Sequence, residues 1–211
     1  MSALTGAMTA AAGGRALARR EPAVILHAEL RNFTRLSEIL DPERVLALMS
    51  GFFSLAEGAV KAHGGDTFCL QNDSLVAAFR SGRAAQPAAK AMDAARMLLA
   101  EFEPVGERWK TDFGFPAAAA VGLHAGDTVF GMAGPAGGEQ YVAFGDTVSI
   151  AERLVHRARA GEIVFSAAVA KALRASALAD WGAEALPALE LARRPALPIF
   201  GLLLETRLDF T

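Results

Sequence analysis

Two carboxylates stand at the ends of β-forming segments, where they could bind a divalent cation. Glu29 lies at the end of the apolar run EPAVILHAEL (21–30), and a turn into a helix follows it. Asp73 lies in an Asn-Asp pair between two short strand-forming segments. Carboxylates are suitable ligands for Mg²⁺, and the first turn of a helix can bind phosphate through its amides. Each acid also fits a solvent-facing strand end or an ordinary turn, so neither proves a metal site by itself.

A third feature is the glycine-rich segment GDTVFGMAGPAGGEQYVAFGDTVSIAERL (126–154). Its glycines surround a predicted hairpin, a helix opens at Asp146, and Arg153 follows two turns along that helix. Glycine spacing of this kind is hard to explain by a simple core strand. The segment is therefore a candidate functional region.

Hydrophobic periodicity and turn residues predict the elements that must position these groups. The first half of the chain contains strand 21–30, helix 33–40 capped by Thr34, a helix from Asp41-Pro42 to Gly64-Gly65, and strands 66–71 and 74–80. Helix 86–109 follows, with a broken end at Pro104 and Gly106. The remaining elements are strand 117–125, hairpin 126–145, helix 146–160, strand 162–166, helix 167–175, and strands near 187–191 and 198–204. This order predicts an α/β sandwich, in which one sheet layer is covered by helices.

Composition limits the class of protein further. The 211 residues fit one globular domain, with a flexible tail over 1–20 and a single domain over 21–211, and the formal net charge is −2. That charge argues against a nucleic-acid partner, and no stretch supplies the roughly 20 apolar residues of a membrane span. The single cysteine, Cys69, excludes an intramolecular disulfide and indicates a reducing compartment, for which we expect the cytoplasm.

Five blocks of sequence carry a family resemblance when they are taken together. They are LHAELRNFTRLSEILDPERV (26–45), HGGDTFCLQNDSLVAAF (63–79), GLHAGDTVFGMAG (122–134), YVAFGDTVSIAERL (141–154) and GEIVFS (161–166). In order and spacing the chain resembles the class III nucleotidyl cyclase catalytic domain, the adenylyl and guanylyl cyclase family. The resemblance runs from about Glu21 to Leu204 and implies a ferredoxin-like palm sheet with helices packed on it.

The family's reaction converts a nucleoside triphosphate into a 3′,5′-cyclic nucleotide and pyrophosphate. The resemblance implies that Glu29 and Asp73 hold two divalent ions, Mg²⁺ or Mn²⁺, for this reaction. The family has aspartate at the first position, so Glu29 is one methylene longer. A displacement of the ion by about an ångström can cost on the order of a hundredfold in rate.

The family completes its site across a dimer interface, with an asparagine and an arginine from the helix after the glycine hairpin. Arg153 matches the arginine and is expected to neutralise charge on the phosphoryl oxygens. Ser149 stands at the asparagine position and is a shorter hydrogen-bonding group, and the loss of one such donor costs about 3 kcal/mol in other enzymes. The resemblance therefore implies a head-to-tail homodimer whose sites are weakened at Ser149.

The positions that select the base depart most from the family. Adenylyl cyclases use a lysine with an aspartate or threonine there, and guanylyl cyclases use glutamate and cysteine. This chain has Cys69 and Val142, a weak donor and an apolar side chain. A site without polar base contacts cannot reject a wrong base strongly. We expect poor discrimination among nucleoside triphosphates, or recognition by other residues.

The family wraps the phosphates with the loop that follows the first strand. The corresponding residues are Leu30, Arg31, Asn32, Phe33 and Thr34. Asn32 replaces a common glycine, and asparagine tolerates positive φ better than most residues. A late arginine, Arg193 or Arg194, could also reach the triphosphate, but a solvated pair is the favoured interpretation.

Two functions remain open from the sequence. One is an active homodimeric cyclase, which both carboxylates and Arg153 support. The other is a catalytically weak or inactive domain that acts as a dimerising, nucleotide-binding or regulatory module. The departures at Glu29, Cys69, Val142 and Ser149 support that second function. The four histidines have no zinc-ligand spacing and are expected to be structural: His27, His63, His124 and His156.

Overall fold

The computed structural model describes residues 18–81, 86–173, 178 and 180–204. These residues form a sheet of eight strands with helices packed on it. The strands are β1 (Arg19–Arg31), β2 (Asp66–Gln71), β3 (Ser74–Arg80), β4 (Ala118–Ala133), β5 (Gln140–Phe144), β6 (Glu162–Ser166), β7 (Glu184–Leu189) and β8 (Leu197–Leu203). The helices are α1 (Phe33–Ile39), α2 (Pro42–Ala62), α3 (Pro87–Phe113), α4 (Asp146–Arg157) and α5 (Ala167–Ala172).

The two longest strands form the middle of the sheet. Neighbouring strands follow the order β2-β3-β1-β4-β6-β8-β7, and β5 pairs with the far end of β4. Strands β1 and β4 are antiparallel from Arg19 opposite Phe130 to Arg31 opposite Ala118, whereas β4 and β6 are parallel. The predicted α/β sandwich is confirmed, because helices cover this single sheet layer.

The side chains of β1 alternate between the two faces of the sheet. One set joins the main core under α2 and α3: Val24, Leu26, Ala28 and Leu30. The opposite face carries Ala23 and Ile25, which cluster with Ala151 of α4. By the same alternation His27 and Glu29 lie on the α4 face. The strand therefore supports a dry core on one side and the candidate site on the other.

Helix α4 lies directly against the backbone of β4. A Cβ atom at Gly122 would clash with the carbonyl oxygen of Ala151 and the amide nitrogen of Val155. Glycine at this position therefore allows the close approach of helix and strand. The approach matters for function because α4 carries candidate site residues along its length.

Helix α3 is longer than the sequence predicts. The expected break at Pro104 and Gly106 is wrong, since the helix continues through both residues to Phe113. Pro104 is exposed, while Phe102 and Trp109 on either side of it are buried in the core. Packing of that apolar face offsets the local cost of a proline inside a helix.

Several predicted boundaries also move. Thr34 is not the cap of α1, because Asn32 occupies the N-cap position and makes no side-chain capping bond. Strand β1 begins at Arg19, inside the predicted tail, and residues 1–17 of that tail lie outside the described residues. Helix α4 ends at Arg157 rather than near residue 160.

Helix α2 is long and apolar enough to cross a membrane by length and composition alone. The sequence predicted no such span. In the structure the helix packs against α3 and supplies five residues to the core: Met49, Phe52, Ala56, Ala59 and Val60. Its apolar face is therefore used inside the domain.

Candidate active site

The register of the sheet brings the two candidate metal ligands together. Glu29 of β1 lies opposite Ser74 of β3, and Asp73 is the last residue of the turn before that strand. The amide of Leu30 donates a hydrogen bond of 2.9 Å to the carbonyl oxygen of Asp73. The pairing of β1 with β3 thus fixes the backbone of Asp73 beside the end of β1.

Both acids line one cavity of about 490 Å³ on the α4 face of the sheet. Cys69 and Val142, the positions expected to meet the base, line the same cavity. Its other walls come from β2, β3, β5 and α4. The structure therefore brings together four of the predicted site residues, although they are far apart in the chain.

Glu29 is already held by two basic neighbours. Its side chain is 15% exposed, and Oε1 accepts a bond of 2.5 Å from Nη1 of Arg31. Nε2 of His156 lies 3.4 Å from Oε2 of the same carboxylate. Arg31 also donates from Nη2 to the carbonyl oxygens of Val155 and, at 2.8 Å, Ala158. The Arg31 side chain therefore joins Glu29 to the C-terminal end of α4.

The donor set of the cavity fits a Mg²⁺ or Mn²⁺ ion that takes few ligands from protein. Among residues 18–81, 86–173, 178 and 180–204 there is no cluster of three or more His, Cys, Asp and Glu able to hold a metal ion. Mg²⁺ at phosphate-transfer sites commonly uses one or two carboxylates, with phosphate oxygens and water completing its shell. Glu29 and Asp73 meet that smaller requirement.

Ser149 and Arg153 lie one turn apart on the exposed side of α4. Neither lines the cavity that contains Glu29. Arg153 donates from Nη2 to the carbonyl oxygen of Glu190 and borders a second cavity of about 340 Å³. His156 lines both cavities. A single chain therefore keeps the predicted arginine apart from the predicted metal ligands.

The predicted phosphate loop has the left-handed residue that its position requires. Asn32 has φ 67°, and its side-chain amide donates a bond of 2.6 Å to the carbonyl oxygen of Pro116. Phe33 and Thr34 form the first turn of α1. Residues 30–34 do not line the cavity, whereas Glu29, the residue before them on β1, does.

Arg194, one of the two late arginines, is bound at the start of α4. Arg194 makes two hydrogen bonds to the carboxylate of Asp146, at 2.6 and 2.5 Å, at the start of α4. The bond from Arg194 lowers the pKa of Asp146 below its usual value. Arg193 has φ 63° in the same loop. In this structure the Arg194 side chain is therefore occupied by an exposed ion pair with Asp146.

His27 is a cavity residue that sequence reasoning missed. The side chain lines the cavity, yet the residue is only 7% exposed and Nδ1 is enclosed without a hydrogen-bond partner. Burial is the main cause that lowers its pKa to about 4, and nearby His156 acts in the same direction. The sequence did indicate that His27 could lie at the site, because its two-residue spacing from Glu29 places both side chains on one face of β1.

The described residues thus form a helix-covered sheet with two carboxylates lining one cavity. The family described as "Adenylate and Guanylate cyclase catalytic domain" matches residues 16–188. The chain belongs to this family of catalytic domains.

Similar proteins include curated and structurally solved cyclases. "Adenylate cyclase 1" of Rhizobium meliloti (strain 1021) is 33% identical over 147 residues, which cover 67% of this chain and 21% of that protein. The chain thus spans about a fifth of the length of this relative. The solved structure of the adenylyl cyclase CyaB from P. aeruginosa is 19% identical and superposes with a TM-score of 0.80, which covers 91% of this chain and 98% of the solved chain.

A solved guanylyl cyclase, Cya2, shares the same fold. It is 22% identical, covers 87% of this chain and 92% of its own chain, and has a TM-score of 0.76. Adenylyl and guanylyl cyclases are thus both among the structural neighbours. The fold alone does not separate the two substrate classes.

Proposed function

We propose that this domain forms a 3′,5′-cyclic nucleotide and pyrophosphate from a nucleoside triphosphate. The observation that carries the proposal is that Glu29 and Asp73 line one cavity together with Cys69 and Val142. In the reaction the ribose 3′-oxygen forms a bond to the α-phosphorus while the bond from that phosphorus to the bridging oxygen breaks. The hydroxyl proton passes to solvent, and the electron pair leaves with pyrophosphate.

Glu29 and Asp73 are the residues that would hold Mg²⁺ or Mn²⁺, with two ions per site as in the family. A bound divalent ion supplies positive charge for the triphosphate and favours ionisation of the attacking hydroxyl. The protein itself contributes orientation, because the β1–β3 register places Glu29 and Asp73 at the same cavity. The site would therefore act by orienting the substrate and by stabilising charge in the transition state.

We propose a head-to-tail homodimer as the active form. Arg153 and Ser149 lie outside the cavity of their own chain, so a second copy is needed to bring this charge to the triphosphate. Large apolar side chains are exposed around the cavity on β2 and β5, namely Leu70, Tyr141 and Phe144. Exposed apolar groups of this size favour a protein interface. The dimer would contain two composite sites, each with carboxylates from one chain and Arg153 from the other.

Base selection in this domain would not follow either family pattern. Val142 offers no hydrogen bond, and Cys69 is a weak donor that lies exposed at the cavity. We therefore expect weak discrimination unless another polar group contacts the base.

A catalytically weak or inactive module is the second candidate function. The observation that favours it is the hydrogen-bonded ion pair between Arg31 and Glu29, because a metal ion must compete with Arg31 for the carboxylate. The serine at position 149 removes a further transition-state contact. Such a domain would retain the dimer surface and nucleotide binding in a regulatory role, and we propose the cytoplasm as its location.

The deciding experiment measures product rather than binding. The purified protein is incubated with ATP, GTP, CTP or UTP and Mn²⁺, and cyclic nucleotide and pyrophosphate are quantified. We expect equal amounts of both products, and loss of both in Asp73→Ala and Arg153→Ala. No product from any nucleotide, together with calorimetric binding, would favour the regulatory module. Full activity in both variants would refute the assigned site.

A further inference from the structure

The cavity has a carboxylate end and a wall of mixed character. Glu29 and Asp73 form the carboxylate end at the edge of β1 and β3. The remaining lining includes polar side chains, among them Gln71 and Glu152, and a set of apolar side chains from three strands and α4: Phe68, Val76, Val142, Ala143, Phe144 and Val148. The flat faces of a nucleobase suit these apolar side chains, since ligand sites typically combine apolar walls with a few polar groups that fix orientation.

His27 is a polar side chain on β1 that lines this cavity. It lies two residues before Glu29, which places it about 7 Å farther along the same face of the strand. A ribose separates the α-phosphate of a nucleotide from its base. The predicted phosphate loop, residues 30–34, lies on the other side of Glu29 along the chain. We therefore expect His27 to lie on the side of the sugar and base, away from the phosphates.

The ring of His27 has one nitrogen enclosed by protein and a second one on its other edge. Nδ1 is enclosed by protein and has no hydrogen-bond partner, while the ring itself lines the cavity. Buried N–H groups without partners are rarer than buried acceptors without partners. The favoured tautomer therefore leaves a lone pair on Nδ1 and a proton on Nε2. The Nε2 edge is then a hydrogen-bond donor available to a ligand in the cavity.

We propose that His27 is the residue that contacts the nucleobase, donating from Nε2–H to an acceptor atom on the base. This inference rests on the proposed function and deepens it, because Cys69 and Val142 leave base selection without a strong polar contact. A single hydrogen bond of this kind gives a preference among bases rather than strict selection, because it recognises one acceptor atom and makes no contact with the other polar groups of the base.

The test uses 3′-deoxynucleoside triphosphates, which lack the attacking hydroxyl and report binding without turnover. Affinities for the adenine, guanine, cytosine and uracil forms are measured by calorimetry with Mn²⁺ for the full chain and for His27→Phe. We expect His27→Phe to weaken the best-bound nucleotide about tenfold and to reduce the spread among the four bases. His27→Gln, whose amide nitrogen replaces Nε2, should retain part of that spread.

Inorganic tripolyphosphate is the control ligand, because it has neither sugar nor base. Its affinity should be the same in the parent protein and in His27→Phe. Phenylalanine has a similar volume and removes the enclosed Nδ1, so thermal unfolding should show a folded variant.

Three results would overturn the assignment. An unchanged spread of affinities in His27→Phe would show that the base is read elsewhere. An equal loss for all four nucleotides would indicate a ribose contact instead. Absence of binding by the parent protein to any nucleotide would also remove the proposed function on which this inference rests, whereas the first two results would leave that function intact.

Discussion

Glu29 carries the negative charge on which the proposed chemistry depends, and its neighbours restrain it. Arg31 holds one carboxylate oxygen and is itself bound to the last carbonyls of α4. His156 approaches the other oxygen from the same helix. The family has aspartate at this position, so the glutamate changes the length of the proposed metal ligand.

Shortening this side chain should increase activity. Glu29→Asp withdraws the carboxylate from Arg31 and returns the metal ligand to the length that the family uses. We expect cyclic product to form up to about a hundredfold faster with Mn²⁺ at saturating nucleotide. Glu29→Gln is the matched control, which keeps the length, removes the charge and should be inactive. A Glu29→Asp variant slower than the parent would show that the glutamate is adapted to its role.

The other buried histidine gives a prediction on stability. Nδ1 of His124 lies 2.8 Å from Oγ of Ser166, and burial is the main cause that lowers the pKa of His124 to about 4. Arg194 lowers the pKa further, whereas Asp146 opposes the shift. The unfolded chain binds the proton near pH 6.5 and the folded chain only near pH 4. The free energy of unfolding should therefore decrease as pH falls through this window, by up to about 3 kcal/mol from this group.

Urea unfolding at several pH values between 7 and 4 measures this contribution. His124→Gln can still hydrogen-bond Ser166 but does not titrate, so its stability should fall less steeply with acid than that of the parent. Other titrating groups are common to both proteins and cancel in the comparison. Parallel pH dependences would contradict the assignment of the slope to His124.

At the scale of elements, α4 connects the two halves of the proposed site. Its packing on Gly122 of β4 brings His156 to Glu29, while Ser149 and Arg153 face outward. One face of α4, with His156, thus lines the cavity of its own chain. The adjacent face, with Ser149 and Arg153, would contact the cavity of the partner in the proposed dimer. A displacement of α4 would alter both contributions together.

Helix α3 gives a separate prediction at this scale. Pro104 is exposed inside the helix and cannot donate the backbone hydrogen bond of that turn. Pro104→Ala should raise the free energy of unfolding by about 1–3 kcal/mol in urea titrations. Arg108→Ala, at an exposed position one turn later, is the control and should change stability by less than about 0.5 kcal/mol. A loss of stability in Pro104→Ala would show that the proline is accommodated without cost.

The elements were largely predictable because their periodicity is local. The apolar run at 21–30 and the Asn72-Asp73 turn are visible in the sequence, and both elements occur in the structure. The continuation of α3 through Pro104 was not predictable, because it depends on burial of distant side chains. The same is true of Arg31, whose partners Val155 and Ala158 lie more than 120 residues away. His27 could have been found from its spacing, but its enclosure required the fold.

At the scale of the whole molecule, one chain keeps the two halves of the proposed site apart. The carboxylates line the main cavity, and Arg153 lies on the far side of His156 beside Glu190. In the proposed function, catalysis requires a second chain. The proposed homodimer therefore supplies catalytic groups, and its formation is inseparable from activity.

Cyclic nucleotide formation by a mixture of two inactive variants tests this central claim most directly. Asp73→Ala and Arg153→Ala should each be inactive alone. In an equimolar mixture half of the dimers pair the two variants, and each such dimer has one site free of both substitutions. We predict that the mixture recovers about a quarter of the parent rate, since a twofold dimer contains two equivalent sites. A mixture as inactive as the separate variants, with an active parent protein, would contradict the account.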